Sequence, residues 1–115
     1  MLSGRTGKVQ TVLGLIEPEE LGVTHTHEHV LVDLSCYSTS AEEASERSYL
    51  DLPVTMDILA STGSRWTSNL DNRLLLDERE QERELKRFQI AGGGTIVDTT
   101  SIGIGRDPLA LARMS

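Results

Sequence analysis

The sequence predicts an α/β fold in which parallel strands are covered by helices. Three observations carry this expectation. A β-branched segment at 22–33 (GVTHTHEHVLVD) alternates with a period of two. A segment at 78–91 is built from Glu, Arg, Leu and Lys, all good helix formers. A short apolar run, TIVD at 95–98, follows it and leads into a second helix start. Strand, long excursion, helix, strand, helix is the alternation that places parallel strands side by side.

Taken in order, VQTVL at 9–13 reads as a short strand ended by Gly14. The polar break at 17–20 follows from Pro18, which lacks an N–H and restricts the residue before it. In the next strand Val23, His25, His27 and His29 share one parity, and Thr24, Thr26, Glu28 and Val30 the other. Periodicity then fades. Residues 41–50 are compatible with a short acidic helix, while Pro53, Gly63 and the polar scatter at 61–69 suggest a loop-rich excursion through 34–72.

Asp77 with Glu80 resembles a capping box and opens the helix at 78–91. Leu85 and Phe88 give it an apolar face, extended by Ala91 and by Leu74 or Leu75. Gly92, Gly93 and Gly94 stop it. No Gly-Lys-Ser/Thr follows these glycines, so they are read as a helix stop rather than a phosphate cradle. Asp107-Pro108 is an N-cap followed by proline at the first helical position, and 109–115 continues that helix. Two parallel strands cannot close a sheet, and a closed barrel of this class takes about 250 residues. The chain therefore reads as cut short.

Composition narrows the function. The net charge is −7, from 18 acidic and 11 basic side chains, which disfavours nucleic acid and anionic membrane surfaces as partners. No apolar run approaches the roughly 20 residues that span a bilayer, and the start lacks the apolar core of a secretory signal. A soluble, cytoplasmic protein is expected. Cys36 is the single cysteine, so no internal disulfide forms and an inert thiol is expected.

The chemistry concentrates in Thr26-His27-Glu28-His29. Alternate strand residues point to one face, about 7 Å apart along the chain, so His27 and His29 can converge on one ion while Glu28 faces away. A bare His-x-His recurs by chance, but all 3 histidines fall at 25, 27 and 29 on one strand. Imidazole suits zinc and similar divalent ions, and the carboxyl end of a barrel strand is where such enzymes place their sites.

The stretch GKVQTVLGLIEPEELGVTHTHEHVLVD at 7–33 closely resembles the start of the phosphotriesterase family, particularly its phosphotriesterase-related members. GGGTIVDTTSIGIGRDPLALARMS at 92–115 resembles the same family's second strand and following helix. Together these cover roughly half the chain. The resemblance implies that residues 1–115 are the amino-terminal portion of a metal-dependent hydrolase, the first two strands and flanking helices of an incomplete (β/α)8 TIM-like barrel of the amidohydrolase superfamily. It implies two divalent metals, usually zinc, in the complete enzyme, with His27 and His29 matching the first pair of ligands. The family's carboxylated lysine, later histidines and aspartate have no counterpart here, since no histidine follows residue 29.

His25 stands where the family varies and is expected to be a core or supporting histidine. Asp98 either orients a neighbour in the site, or has a structural role, capping nearby backbone N–H groups or pairing with Arg106, and the structural role is the simpler reading. Asp107 is expected to be a helix cap alone. The reaction implied is attack of metal-activated water on a phosphotriester, a lactone or other ester, or an amide of a small-molecule substrate; a homodimer is compatible with it. Two other readings stand beside this: a truncated, non-catalytic fragment or isoform, and a small metal-binding or adaptor module using all three histidines.

Overall fold

The computed structural model describes residues 4–38, 44–59 and 69–115, side chains at 45 and 46 excepted. Its centre is a parallel pair, β3 (Thr24–Glu28) beside β6 (Thr95–Asp98). A hairpin, β1 (Val9–Thr11) and β2 (Gly14–Ile16), precedes it, and β4 (Val32–Asp33) pairs antiparallel with β5 (Leu74–Leu75). The helices are α1 (Ala44–Arg47), α2 (Glu78–Ile90) and α3 (Pro108–Met114). The predicted strand, helix, parallel strand, helix order is present.

The segment at 9–13 is not one strand. It turns at Val12 and Leu13, because Thr11 Oγ1 accepts from Leu13 N (3.1 Å) and donates to Gly14 O (2.9 Å), closing a local turn. Gly14, at φ +135, opens the return strand instead of ending the first. The strand expected at 22–33 also divides. β3 stops at Glu28, and Val32 and Asp33 pair with Leu75 and Leu74 in a separate ladder. The acidic helix expected at 41–50 is a single turn at Ala44–Arg47; positions 41–43 and 61–68 lie outside the described residues. The described part of the excursion is tied by Asn69, 4% exposed, whose Nδ2 donates to Tyr49 O and Leu52 O, both at 2.8 Å.

Helix α2 begins and ends as its sequence dictates. Asp77 Oδ1 accepts from Arg79 N (2.9 Å) and Glu80 N (3.1 Å), one half of the expected box. At the other end Gly92 takes φ +96. Gly92 N then donates to Gln89 O and Gly93 N to Phe88 O, both at 2.9 Å, the paired bonds of a Schellman stop. The chain next runs against β3: Gly94 N donates to Val23 O (2.8 Å), and Thr95 Oγ1 donates to Leu21 O (2.6 Å). Asp107 caps α3 through Leu109 N (3.0 Å) and Ala110 N (2.9 Å), as the sequence indicates.

Among the described residues the buried apolar side chains are Val30, Leu31, Val32 and Ala110. Ile90, Val97, Ile102 and Leu109 are exposed. The radius of gyration is 18.0 Å, against about 13 Å for a compact chain of this length. The elements thus form an open layer rather than a closed core, with the best-buried segment at 30–32, directly after the histidine strand.

The approach at Gly94 leaves no room for a side chain, since a Cβ there would lie 2.6 Å from Leu21 O. Gly94→Ala should lower stability by about 1–3 kcal/mol, the usual cost of overpacking, whereas Gly4→Ala, with nothing within 4 Å, should be neutral. Denaturant midpoints for the two variants check this, and equal midpoints would contradict it.

Helix α3 docks on α2 through Arg113, whose Nη2 and Nε donate to the Glu78 carboxylate at 2.6 and 3.1 Å. Hydrogen bonding from Arg113 holds the Glu78 carboxyl below its ordinary value and raises the Arg113 guanidinium. The pair therefore favours docking at pH above the ordinary carboxylate range, and the benefit is lost as pH falls through the lowered value. Titration of the Glu78 side chain by NMR should give a low pKa that rises in Arg113→Gln; an unchanged value would refute the contact.

Candidate functional site

A parallel pair brings the carboxyl ends of both strands to one edge, and the candidate residues gather there. His27 lies in β3 and His29 just beyond its end. Their rings approach edge to face, with centroids 5.5 Å apart and planes at 79°. The sequence-predicted pair is thus brought together, at and just beyond the end of one strand.

His25 does not join them, and a register shift explains why. Thr24 pairs with Thr95 and His25 with Ile96, but Glu28 pairs with Asp98, so β3 carries one extra residue between His25 and Glu28. A bulge of this kind breaks the alternation of faces. In a regular strand His25 and Glu28 would point to opposite sides. Here His25 Nδ1 lies 3.9 Å from Glu28 Oε2, and both line a cavity of about 260 Å³ under α2, with His29, Leu75, Leu85, Phe88 and Ile96. His25 and His29 therefore share a surface with Glu28, and the expectation that Glu28 faces away from the histidines does not hold. His25 is an exposed residue rather than a core one. Glu28 Oε1 also accepts from His29 N at 2.8 Å, which ties the strand end to its own side chain.

The two strand ends are joined by one carboxylate. Asp98 Oδ2 accepts from Val30 N and Oδ1 from Thr100 N, both at 2.9 Å. Capping of backbone N–H groups is thus its observed role. Arg106 does not pair with it; Arg106 Nε donates to Thr100 O at 2.6 Å. Thr99 N donates to Glu28 O at 2.8 Å, extending the parallel ladder past Asp98.

Thr100 is the residue that sequence reasoning missed. It is 1% exposed, and its Oγ1 lies 3.0 Å from His29 Nδ1 and 3.3 Å from Leu31 O. The available signal was position: a hydroxyl two residues past Asp98, beyond the carboxyl end of a parallel strand. Nothing in residue type alone distinguishes it from Thr99 or Ser101.

The donor set fits part of a metal shell. With Nδ1 of His29 engaged by Thr100, its Nε2 is the nitrogen left for a ligand, and His27 stands beside it. Among the described residues no group of three or more His, Cys, Asp or Glu side chains is placed to hold an ion. Two imidazoles are half of a four-coordinate shell. Cys36 is exposed, a free thiol. No described helix is long and apolar enough to cross a membrane.

Known hydrolases resemble this chain over nearly its whole length. The chain is 41% identical over 115 residues to an N-acetyltaurine hydrolase of Salmo salar, covering 99% of this chain and 33% of that protein. The human N-acetyltaurine hydrolase is 37% identical over the same length, with the same shares covered. A phosphotriesterase-related protein of Nematostella vectensis is 39% identical over 113 residues, covering 96% of this chain and 32% of that one. The chain spans about a third of the length of these relatives. Among solved structures, a resiniferatoxin-binding protein from Rhodobacter sphaeroides superposes with a TM-score of 0.90 at 35% identity, over 96% of this chain and 31% of that one. A lactonase from Listeria monocytogenes gives 0.57 at 28% identity, over 93% of this chain and 24% of that one. The fold is thus the amino-terminal part of a (β/α)8 barrel, with no closed sheet among the described residues. The model of the phosphotriesterase family matches residues 7–115, and the chain belongs to that family.

Proposed function

We propose that residues 1–115 supply the first metal-holding corner of a hydrolase barrel, with His27 and His29 as ligands to a divalent ion of the zinc type. The observation that carries this reading is the pairing of two imidazoles, 5.5 Å apart, at the carboxyl end of β3, beside the carboxyl end of its parallel neighbour β6. An ion held there supplies Lewis acidity, polarising a substrate oxygen and acidifying water. His27 and His29 bind through ring nitrogens. Asp98 keeps the strand ends in register through Val30 N and Thr100 N. A second ion and the remaining ligands belong, in this reading, to later strands of a complete barrel.

The bond attacked is a phosphotriester, an ester or lactone, or an amide. Relatives named for N-acetyltaurine hydrolysis and a neighbour named as a lactonase favour the two acyl bonds. A soluble cytoplasmic location and a small-molecule substrate belong to the same reading. The non-catalytic alternative draws on a separate observation: no third donor joins the histidine pair among the described residues. The two readings are compatible. The chain alone is inert, and the same residues are ligands within a closed barrel.

The test has two parts. The isolated chain with added zinc should give flat traces on a lactone, an N-acetyl amide and a phosphotriester. In a version carrying the remaining barrel strands, His27→Ala or His29→Ala should abolish bound metal by elemental analysis. Each should cut hydrolysis by more than the roughly 10–100-fold that changes around a metal shell cost, while His25→Ala has a small effect. Near wild-type turnover in His27→Ala would overturn the ligand assignment.

A further inference from the structure

We infer that Thr100 is a positioning residue for His29: its hydroxyl selects the imidazole tautomer that presents Nε2 to a metal. The inference rests on the metal reading above for its purpose, but the tautomer itself follows from contacts within this chain. Thr100 Oγ1 lies within reach of two groups, His29 Nδ1 at 3.0 Å and the Leu31 carbonyl oxygen at 3.3 Å. A hydroxyl has one proton to give and lone pairs to accept with, whereas a carbonyl oxygen can only accept. Both contacts are satisfied in a single arrangement: the hydroxyl donates to Leu31 O and accepts from a protonated Nδ1. The reverse assignment, with the proton directed at Nδ1, leaves Oγ1 facing Leu31 O with no hydrogen between them.

Burial gives this preference force. Thr100 is 1% exposed and Leu31 7%, so water is a poor substitute for either bond, and an unmatched buried polar group is costly. The hydroxyl cannot drift, because its backbone is fixed on both sides. Thr100 N donates to Asp98 Oδ1 at 2.9 Å, and Thr100 O accepts from Arg106 Nε at 2.6 Å. Asp98 in turn holds Val30 N at 2.9 Å, one residue beyond His29. The strand that carries the imidazole and the loop that carries the hydroxyl are thus referred to the same carboxylate. Free histidine mixes its two neutral tautomers; here the surroundings admit Nδ1–H, leaving the Nε2 lone pair free beside His27. A ligating histidine held at its other nitrogen is both oriented and made more basic.

The test uses the chain with ¹⁵N-labelled imidazoles, free of metal, at a pH about two units above the ordinary histidine value of about 6.5. Two variants are compared. Thr100→Val removes the hydroxyl at nearly constant shape, and Thr100→Ser keeps it; backbone amide spectra report whether each remains folded. Wild type and Thr100→Ser should show His29 protonated at Nδ1, while Thr100→Val shows mixed tautomers. Zinc titration should then give a loss of affinity of about 10–100-fold in Thr100→Val and recovery in Thr100→Ser. A mere packing role would move stability but not the ring's ¹⁵N shifts. An unchanged His29 tautomer in folded Thr100→Val, or Nε2–H in the wild type, would overturn the inference. If the wild-type tautomer pattern held while a version carrying the remaining barrel strands took up no zinc, the metal reading would fail and the positioning contact would stand.

Discussion

The Asp98 carboxylate is the contact on which the site depends. One oxygen takes the amide of Val30 and the other that of Thr100, so a single side chain spans the ends of both parallel strands. Hydrogen bonds from backbone N–H to an ionised acceptor contribute about 1.5–3 kcal/mol each, more than the net value of an ordinary ladder bond. The clamp follows directly on the bulge in β3. With one extra residue between His25 and Glu28, the ladder shifts register and resumes at Glu28 and Asp98, where Thr99 N donates to Glu28 O. The carboxylate adds a second tie between the strands just beyond that point, where His29 lies against Thr100.

The bulge also changes which side chains face one another. It brings His25 and Glu28 within 3.9 Å at the cavity under α2, which His29 also lines, while the His27 and His29 rings meet edge to face. A chain with perfect alternation would turn Glu28 away from all three imidazoles. Both the clamp and the bulge lie in a layer whose apolar surface is largely uncovered: Val97, Ile102 and Leu109 are exposed. Local hydrogen bonding, rather than an enclosing core, therefore holds the site in this chain.

Much of this was legible in the sequence, for reasons that differ by element. Helix α2, its glycine stop, β6 and the Asp107-Pro108 start rest on local chemistry, where capping side chains and glycine φ values decide the outcome. The His27–His29 pair was legible because two positions apart on a strand is a local relation, and the family resemblance named the same residues. The hairpin at 9–16 was hidden because Val12 and Leu13 are strand-forming types used in a turn that the Thr11 hydroxyl closes. The bulge, the His25–Glu28 approach and the Thr100 contact were hidden because each depends on how residues about 70 positions apart meet. Periodicity within one segment carries no information about that register.

The central claim is that this strand end builds a two-imidazole metal corner that excludes His25. Its most direct measurement is a zinc titration of the chain followed by the ¹⁵N resonances of all three imidazoles. His27 and His29 should shift together with one binding curve, the His29 change falling on Nε2, while His25 stays near its metal-free position. Equal shifts at all three rings, or a shift at His25 with His27 unmoved, would contradict the account.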